Sequence, residues 1–471
     1  MANSSSGDCV QRQGTDFQCM PLELTTMIVE QLEEFDLASQ SHSSFIEMPT
    51  DRLVLARHWP AREDVMWVTF TNASRSNIYN ARSASRRLYA ASFKSFAKLL
   101  GDRRFRLTKP NMGDLKDISR AGFLRPYVQT LTFGTATFLP PDHKILHDCL
   151  QGLKQRDRDR LVASYNKCAT WQQTHMPDLP ASLAAVLGVF PQLDTIRIAV
   201  FDFPAELAGW LGPGDQDIVH ADFSSLHRNE YRGDTSRLYR SGTPKVLPCI
   251  YKALGLTNLN LKSISISDST YLYVNPRPIM QFSALRTLRI SMLRQYILPS
   301  GGVPSPIIQI LATMSELEDL VLITPGGGSD YMESVNLGVP IRSSMLKKIS
   351  RVSEEVFNSL RYHRKLRRIE LSEAWAFTEA DLTTFITTHS DALQCLILRY
   401  PLLTAGSWHS VLSNIAGTTD NKLEFLSIRW PFEQDVADGR LLSVDIPPEK
   451  LSARTYPVNF QSLSIHGGTA K

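Results

Sequence analysis

In the C-terminal two thirds of the chain, apolar residues recur at i, i+3 and i+5 within short segments that superimpose without a gap. FPQLDTIRI (190–198), FSALRTLRI (282–290) and MSELEDLVL (314–322) carry the pattern at Leu193, Ile196 and Ile198, at Leu285, Leu288 and Ile290, and at Leu317, Leu320 and Leu322. It also fits Val128, Leu131 and Phe133; Leu261, Ile264 and Ile266; Leu366, Ile369 and Leu371; and Leu393, Leu396 and Leu398. Two further copies stand at Leu423, Leu426 and Ile428 and at Phe460, Leu463 and Ile465. From Leu285 the starts fall at 317, 346, 366, 393 and 423, about 28 residues apart on average, with SMLKKIS (344–350) as the weakest copy. LILRYP (396–401) and LSIRWP (426–431) add a second regularity, aliphatic-x-aliphatic-Arg-aromatic-Pro.

Each copy reads as a short strand whose i+3 and i+5 side chains point to one face, with the residue between them on the other. Helix-like segments lie between copies: SPIIQILATM (305–314), TEADLTTFITTHSD (378–391), with Thr378 placed as an N-cap, and SWHSVLSNIAG (407–417). A lone strand and helix cannot bury their own apolar faces, whereas stacked copies bury one continuous core. The spacing is close to the leucine-rich-repeat range of about 20 to 29 residues. The expected fold class is therefore α/β: a small N-terminal helical module, then an irregular leucine-rich-repeat-like α/β solenoid with a parallel sheet. The alternative is a doubly wound α/β domain, whose strands usually read as continuous apolar runs.

Toward the N-terminus, MPLELTTMIVEQL (20–32) places Leu24, Met27, Ile28 and Leu32 on one helical stripe that Phe35 extends. This helix either caps the first repeat or presents its stripe to another protein. A second amphipathic segment, NIYNARSASRRLYAASFKSFAKLL (77–100), follows, with Ile78, Ala81, Leu88, Phe93 and Phe96 as apolar members. The expected organisation is a disordered tail over 1–16, a helical module over 17–107 with an insertion at about 36–75, and the solenoid over 108–471. Excursions interrupt the solenoid at about 134–180 and 203–258, and each could hide a degenerate copy.

Composition narrows the function classes. The chain has 471 residues, 43% of them hydrophobic and 21% charged, so it folds, and its length implies more than one compact core or an elongated repeat body. Its 51 basic and 47 acidic residues are interspersed, so the net charge of +4 implies no nucleic-acid stripe. The six cysteines form no C-x-x-C pair and no zinc or disulfide spacing, which suits a reducing compartment. No signal peptide is visible in the opening residues, and the longest apolar run, ASLAAVLGVF (181–190), falls short of the roughly 20 residues of a membrane span. A soluble cytoplasmic or nuclear protein is expected.

Several stretches that invite a chemical reading fail on spacing. Asp215, Asp217, His220 and Asp222 lack the glycine and glutamate that a calcium loop needs at its sixth and twelfth positions. His143, His147 and Cys149 lack further ligands at a zinc spacing. TPGGGSD has no phosphate-cradle lysine, QRDRDR (155–160) reads as a solvated helix face, and hydrolase, zincin and kinase signatures are absent. No catalytic residue, metal or cofactor is expected, and the chain is read as a non-enzyme.

The two N-terminal helical pieces resemble the F-box, a helical module that docks onto the adaptor subunit of cullin-based SCF ubiquitin ligases. The first motif is matched by Met20, Pro21, Glu23, Leu24, Ile28 and Leu32, the second by Ala84, Ser85, Arg86, Arg87, Leu88 and Tyr89. RRFRLTKPNMGDLKDISRAGFLRPYVQTLTFG looks like the linker of F-box proteins of filamentous fungi, and the likeness covers about residues 17–134. The two motifs are farther apart than is usual in the family, so a segment loops out between them or the second helix is something else. The resemblance implies a substrate receptor whose partners are the adaptor and cullin. Met20, Pro21, Glu23, Leu24, Ile28, Leu32, Ser85, Arg86, Arg87 and Leu88 would contact the adaptor, and Pro21 would begin the helix without losing a donor.

A protein substrate would then meet the repeat surface. Outward positions of late strands, and the residues after them, supply the arginines and large aromatics usual in interface anchors: Arg368, Glu370, Trp375, Arg399, Tyr400, Arg429 and Trp430. Tyr400 and Trp430 could equally wedge strand ends against the prolines that follow. The alternative function is a leucine-rich-repeat scaffold without a ligase; an enzyme or ligand-binding domain is a third class.

Overall fold

The computed structural model describes residues 20–37, 68–134, 154–199, 246–266, 282–290, 306–323, 343–417, 422–423, 425–429, 431–434 and 441–444. In chain order these form α1 (Leu22–Glu30), β1 (Phe35–Leu37), β2 (Val68–Phe70), α2 (Asn72–Ala84), α3 (Arg86–Ala91), α4 (Phe93–Leu100), β3 (Arg104–Arg106), α5 (Lys109–Arg120) and β4 (Thr130–Gly134). There follow α6 (Gln155–His175), α7 (Leu179–Leu187), β5 (Thr195–Ala199), α8 (Val246–Gly255), β6 (Ser263–Ile266), β7 (Thr287–Ile290), α9 (Pro306–Leu311), β8 (Asp319–Ile323), α10 (Ser343–Leu360) and β9 (Arg368–Thr378). The rest are α11 (Glu379–Thr388), β10 (Cys395–Ala405), α12 (Trp408–Gly417), β11 (Phe425–Arg429), β12 (Phe432–Gln434) and β13 (Leu441–Ser443).

Serines divide the second amphipathic segment. Ser85 is extended, ends α2 and accepts the Leu88 amide as N-cap of α3, and Ser92 separates α3 from α4. The Ser85 hydroxyl caps a fresh start, whereas the Ser92 hydroxyl donates back to the Tyr89 carbonyl, and the amphipathic stretch becomes three short helices. The segment between the two N-terminal motifs leaves and returns through an antiparallel ribbon: β1 pairs with β2, Phe35 opposite Phe70 with ring centroids 4.4 Å apart. Ser74 Oγ donates to the Leu32 carbonyl and accepts the Glu34 amide, so the start of α2 is fastened to the end of α1.

β3 to β13 form one open sheet in which β3 to β10 lie in chain order, each parallel to the next. A doubly wound sheet reverses its strand order at a switch point; this one does not, which removes that alternative. The sheet starts at Arg104, inside the segment expected to be a linker. β11 and β12 both pair with β10, one on each side of a register shift at Tyr400, and β13 runs antiparallel to β12.

The register stacks the repeating apolar positions into ladders. Leu131, Ile196, Ile264, Leu288, Leu320, Ile369, Leu396 and Leu426 are successive partners, and so are Phe133, Ile198, Ile266, Ile290, Leu322, Leu371, Leu398 and Ile428. Both ladders, and the preceding position from Val128 to Leu423, are buried in one cluster with residues of α7 to α12, such as Leu183, Ile250, Leu311, Val356, Phe385 and Val411. Each such side chain withdrawn from water contributes about 1.5–3 kcal/mol. From β4 to β9 the carbonyl just before each strand accepts two amides of the next rung, as the Arg286 carbonyl does from Glu318 and Asp319. Thr378 caps α11 in a reciprocal box with Asp381, at the N-cap position expected.

Two sequence expectations are corrected. SMLKKIS lies in α10, not in a strand: Leu346 and Ile349 continue at helical steps through Val352, Val356 and Leu360, while the i+5 position is Arg351. No rung stands between β4 and β5 or between β5 and β6, which pair directly. The copy at Phe460, Leu463 and Ile465 lies outside the described residues.

Candidate functional site

Two surfaces carry the residues that the sequence singled out. The first is α1. Thr25 and Val29 point into the protein, so the helix turns the rest of its apolar residues outward: Leu24 is 48% exposed, Met27 58% and Ile28 39%. Pro21 and Glu23 are also exposed, Met20 is half-buried, and Leu32 packs partly against Phe70, Ile78 and Leu99. Pro21 sits at the N-cap with φ −51°, and its carbonyl accepts the Thr25 amide at 3.1 Å. Ion pairs hold α1 to α4, Glu30 with Lys94 and Glu33 with Lys98, both at 2.7 Å, while Ser95 Oγ donates to Glu33.

Of the second motif, Arg86 is exposed, and Ser85, Arg87 and Leu88 are half-buried. Ser85 has a structural task already, as the cap of α3. α3 packs on both α1 and α2, so the two motifs are brought together across the interval that separates them in sequence.

The second surface is the sheet face opposite the helices, where the residue between the two ladders points. A chain of alternating charges crosses it from β7 to β10. Arg289 meets Asp319 at 2.5 Å, Asp319 lies 3.9 Å from Arg368, and Glu370 is held by Arg368 at 3.2 Å and Arg399 at 3.1 Å. Glu370 is fully buried, and the two flanking guanidinium groups offset the cost of withdrawing it from water. Arg368 and Arg399 keep part of their guanidinium surface accessible.

The remaining predicted contact residues divide. Trp375 is 1% exposed, donates its indole N–H to the Ser372 carbonyl and belongs to the main core. Tyr400 is buried in a smaller cluster with Leu346, Leu402 and Phe432. It has a positive φ of 54°, at the register shift between Arg399 and Pro401. Tyr400 has the parity of the inward-facing Leu396 and Leu398, and beside the bulge it is buried as a wedge rather than standing as an outward anchor. Glu370, Trp375 and Tyr400 are therefore interior groups, and the accessible part of the predicted set is Arg368 and Arg399. Arg429 is the register partner of Arg399 on β11, and Trp430 lies outside the described residues.

Sequence reading missed the joint between the helical part and the sheet. Asp102, after α4, accepts the Phe70 amide at 2.8 Å and pairs with Arg75 of α2 at 3.5 Å and Arg197 of β5 at 3.2 Å. Burial pushes its carboxyl above the ordinary range, and Arg197 and Arg75 pull it back. Burial likewise lowers Arg197. The three residues are scattered through the sequence, and no local pattern links them.

Burial pushes the thiol of Cys249 up to about 12 and also raises Cys395, so neither is a thiolate near neutral pH. Among the described residues no group of His, Cys, Asp and Glu could hold a metal ion. The His143, His147 and Cys149 set and the Asp215 to Asp222 set lie outside them. No described helix is long and apolar enough to cross a membrane. No protein-family model matches the chain, and no curated protein does.

Proposed function

We propose that the chain is a substrate-recognition subunit of an SCF-type cullin ubiquitin ligase, an F-box protein whose sheet is a degenerate leucine-rich-repeat body. One observation carries this reading: α1 turns Leu24, Met27 and Ile28 to solvent although Val29 and Thr25 fasten it from behind. A short helix with an exposed apolar stripe gains by burying that stripe in a partner's groove. Arg86, exposed on α3, would in this reading influence the rate of association more than affinity. The β1–β2 ribbon supports the reading as well, because it lets the segment between the two motifs leave the module without separating their helices.

In this reading the ligase chemistry belongs to other subunits and the chain contributes binding alone. The accessible guanidinium surface of Arg368 and Arg399 on the strip opposite the helices is where a protein substrate would rest. A second reading, a repeat scaffold with α1 as its end cap, draws on the ion pairs that tie α1 to α4.

Affinity purification from cells separates the two. Tagged wild-type protein should bring down an adaptor and a cullin, and Ile28→Asp or Pro21→Glu should release both while leaving the circular dichroism spectrum unchanged. Retention of the same partners by both variants would remove the ligase reading and leave the scaffold.

A further inference from the structure

Apolar burial alone would set α1 the other way round. Leu24 and Ile28 stand about 100° around the helix from Thr25 and Val29, so turning α1 by one residue position would bury the first pair and bring out the second. Two large aliphatic side chains gain more from leaving water than a threonine and a valine do. Yet Thr25 and Val29 are the fully buried pair, and Leu24 and Ile28 face solvent. A force other than the hydrophobic effect holds this setting.

The end of α1 carries polar contacts that can supply it. Its last turn contains no basic residue, and Glu30, Glu33 and Glu34 stand at the negative end of its dipole, where a helix favours cations. α4 provides them, Lys94 reaching Glu30 and Lys98 reaching Glu33, each at 2.7 Å. The two contacts differ in burial. Glu30 and Lys94 keep 26% and 49% of their side chains accessible, so water and salt weaken that pair. Glu33 keeps 8%, and both its oxygens are engaged at 2.7 Å, Oε1 accepting from Ser95 Oγ and Oε2 from Lys98 Nζ. Ser74 of α2 holds the same turn through the Leu32 carbonyl and the Glu34 amide.

We propose that Glu33 is a positioning residue: it clamps α1 against its own hydrophobic preference and so keeps Leu24, Met27 and Ile28 turned toward a partner. In the receptor reading, on which this role rests, that partner is the adaptor of the ligase. Glu33 acts through the orientation of α1, its carboxylate being engaged with α4.

The test uses the full chain, a titration with purified SCF adaptor subunit, and hydroxyl-radical footprinting of the α1 side chains. Glu33→Gln should weaken adaptor binding about tenfold, the scale of one charge-assisted hydrogen bond. In the same variant Leu24 and Ile28 should become protected from oxidation and Val29 exposed to it, while the urea midpoint of the sheet stays as in wild type. Glu33→Lys should weaken binding further, and adding Lys98→Glu to it should restore both affinity and footprint. Glu30→Gln, which removes only the exposed pair, should change little. Wild-type affinity in both Glu33→Gln and Glu33→Lys would overturn the positioning role and leave the receptor reading standing. A fall in the urea midpoint with an unchanged footprint would make Glu33 a structural tie only and overturn it as well. If wild-type protein binds no adaptor, the receptor reading fails and the positioning role with it.

Discussion

The carboxylate of Asp102 lies 3.2 Å from the guanidinium of Arg197, ninety-five residues later in the chain. Its other oxygen takes the Phe70 amide and faces Arg75, so one side chain joins β2 and α2 to the sheet at β5. Removing it takes from the mostly buried Arg197 its ion pair at 3.2 Å, a loss of about 3 kcal/mol or more. Asp102→Ala is therefore expected to lower the urea midpoint of unfolding strongly. A double-mutant cycle with Arg197→Ala should give a coupling well above the value near zero expected of an exposed pair.

The middle rungs of the ladders are the places where the sheet tolerates least. Leu320 is fully buried, with Leu288 on one side and Ile369 on the other. Leu320→Ala removes buried methyl groups and opens a cavity that its neighbours cannot collapse into, at a cost of about 2–5 kcal/mol. Chemical denaturation reads the loss directly; a change below about 1 kcal/mol would mean that the rung is not packed as described.

Gly406 joins β10 to α12 with a φ of 88°, and a Cβ there would collide with the Cβ and carboxylate of Glu379. Gly406→Ala is expected to destabilise by about 2 kcal/mol or more, since a left-handed backbone and a steric conflict coincide. Glu379 is close to glycine for a purpose. It accepts a hydrogen bond from the Ser410 hydroxyl and the Ser407 amide, and these hold its carboxyl below the ordinary glutamate value. A depressed folded value stabilises above the unfolded value, and the benefit is lost as pH falls through the folded one. The stability gap between wild type and Glu379→Gln should accordingly be present near neutral pH and shrink as pH falls below the ordinary glutamate range, which thermal unfolding across a series of pH values measures.

The recurring part of the fold was legible because a strand's inward positions are set by local chemistry. An apolar residue at Leu131 or Leu396 has one face on which to be buried, and the pattern repeats it. At Leu346 the same reasoning failed, because an i+3 step serves helix and strand alike, and the continuation to Val352 and Val356 decides between them. The stripe of α1 was legible as a stripe, but its direction was not: Thr25 and Val29 bury because Ser95 and Lys98 of a later helix hold the end of α1 through Glu33. Trp375 and Tyr400, expected as anchors because large aromatics are usual in interfaces, stand an even number of residues beyond the inward Leu371 and Leu398 and are themselves buried. The Asp102 joint depends on Arg75 and Arg197, and such long-range pairings leave no periodic trace.

His363 offers a pH test of the repeat packing. It sits in the turn between α10 and β9, 4% exposed, with the carbonyls of Met314 and Leu311 before it and His389 beyond. Neither ring nitrogen completes a hydrogen bond of good geometry, and burial, reinforced by His389, lowers its affinity for a proton against the opposing pull of the two carbonyls. The unfolded chain protonates this residue near its ordinary value while the folded chain resists. Stability attributable to His363 is therefore full above about pH 6.5 and is lost as pH falls below it. The drop in unfolding midpoint between about pH 7.5 and about pH 5.5 should be smaller in His363→Gln than in wild type. An equal drop in both proteins would mean that His363 takes up its proton in the folded state as readily as in the unfolded chain.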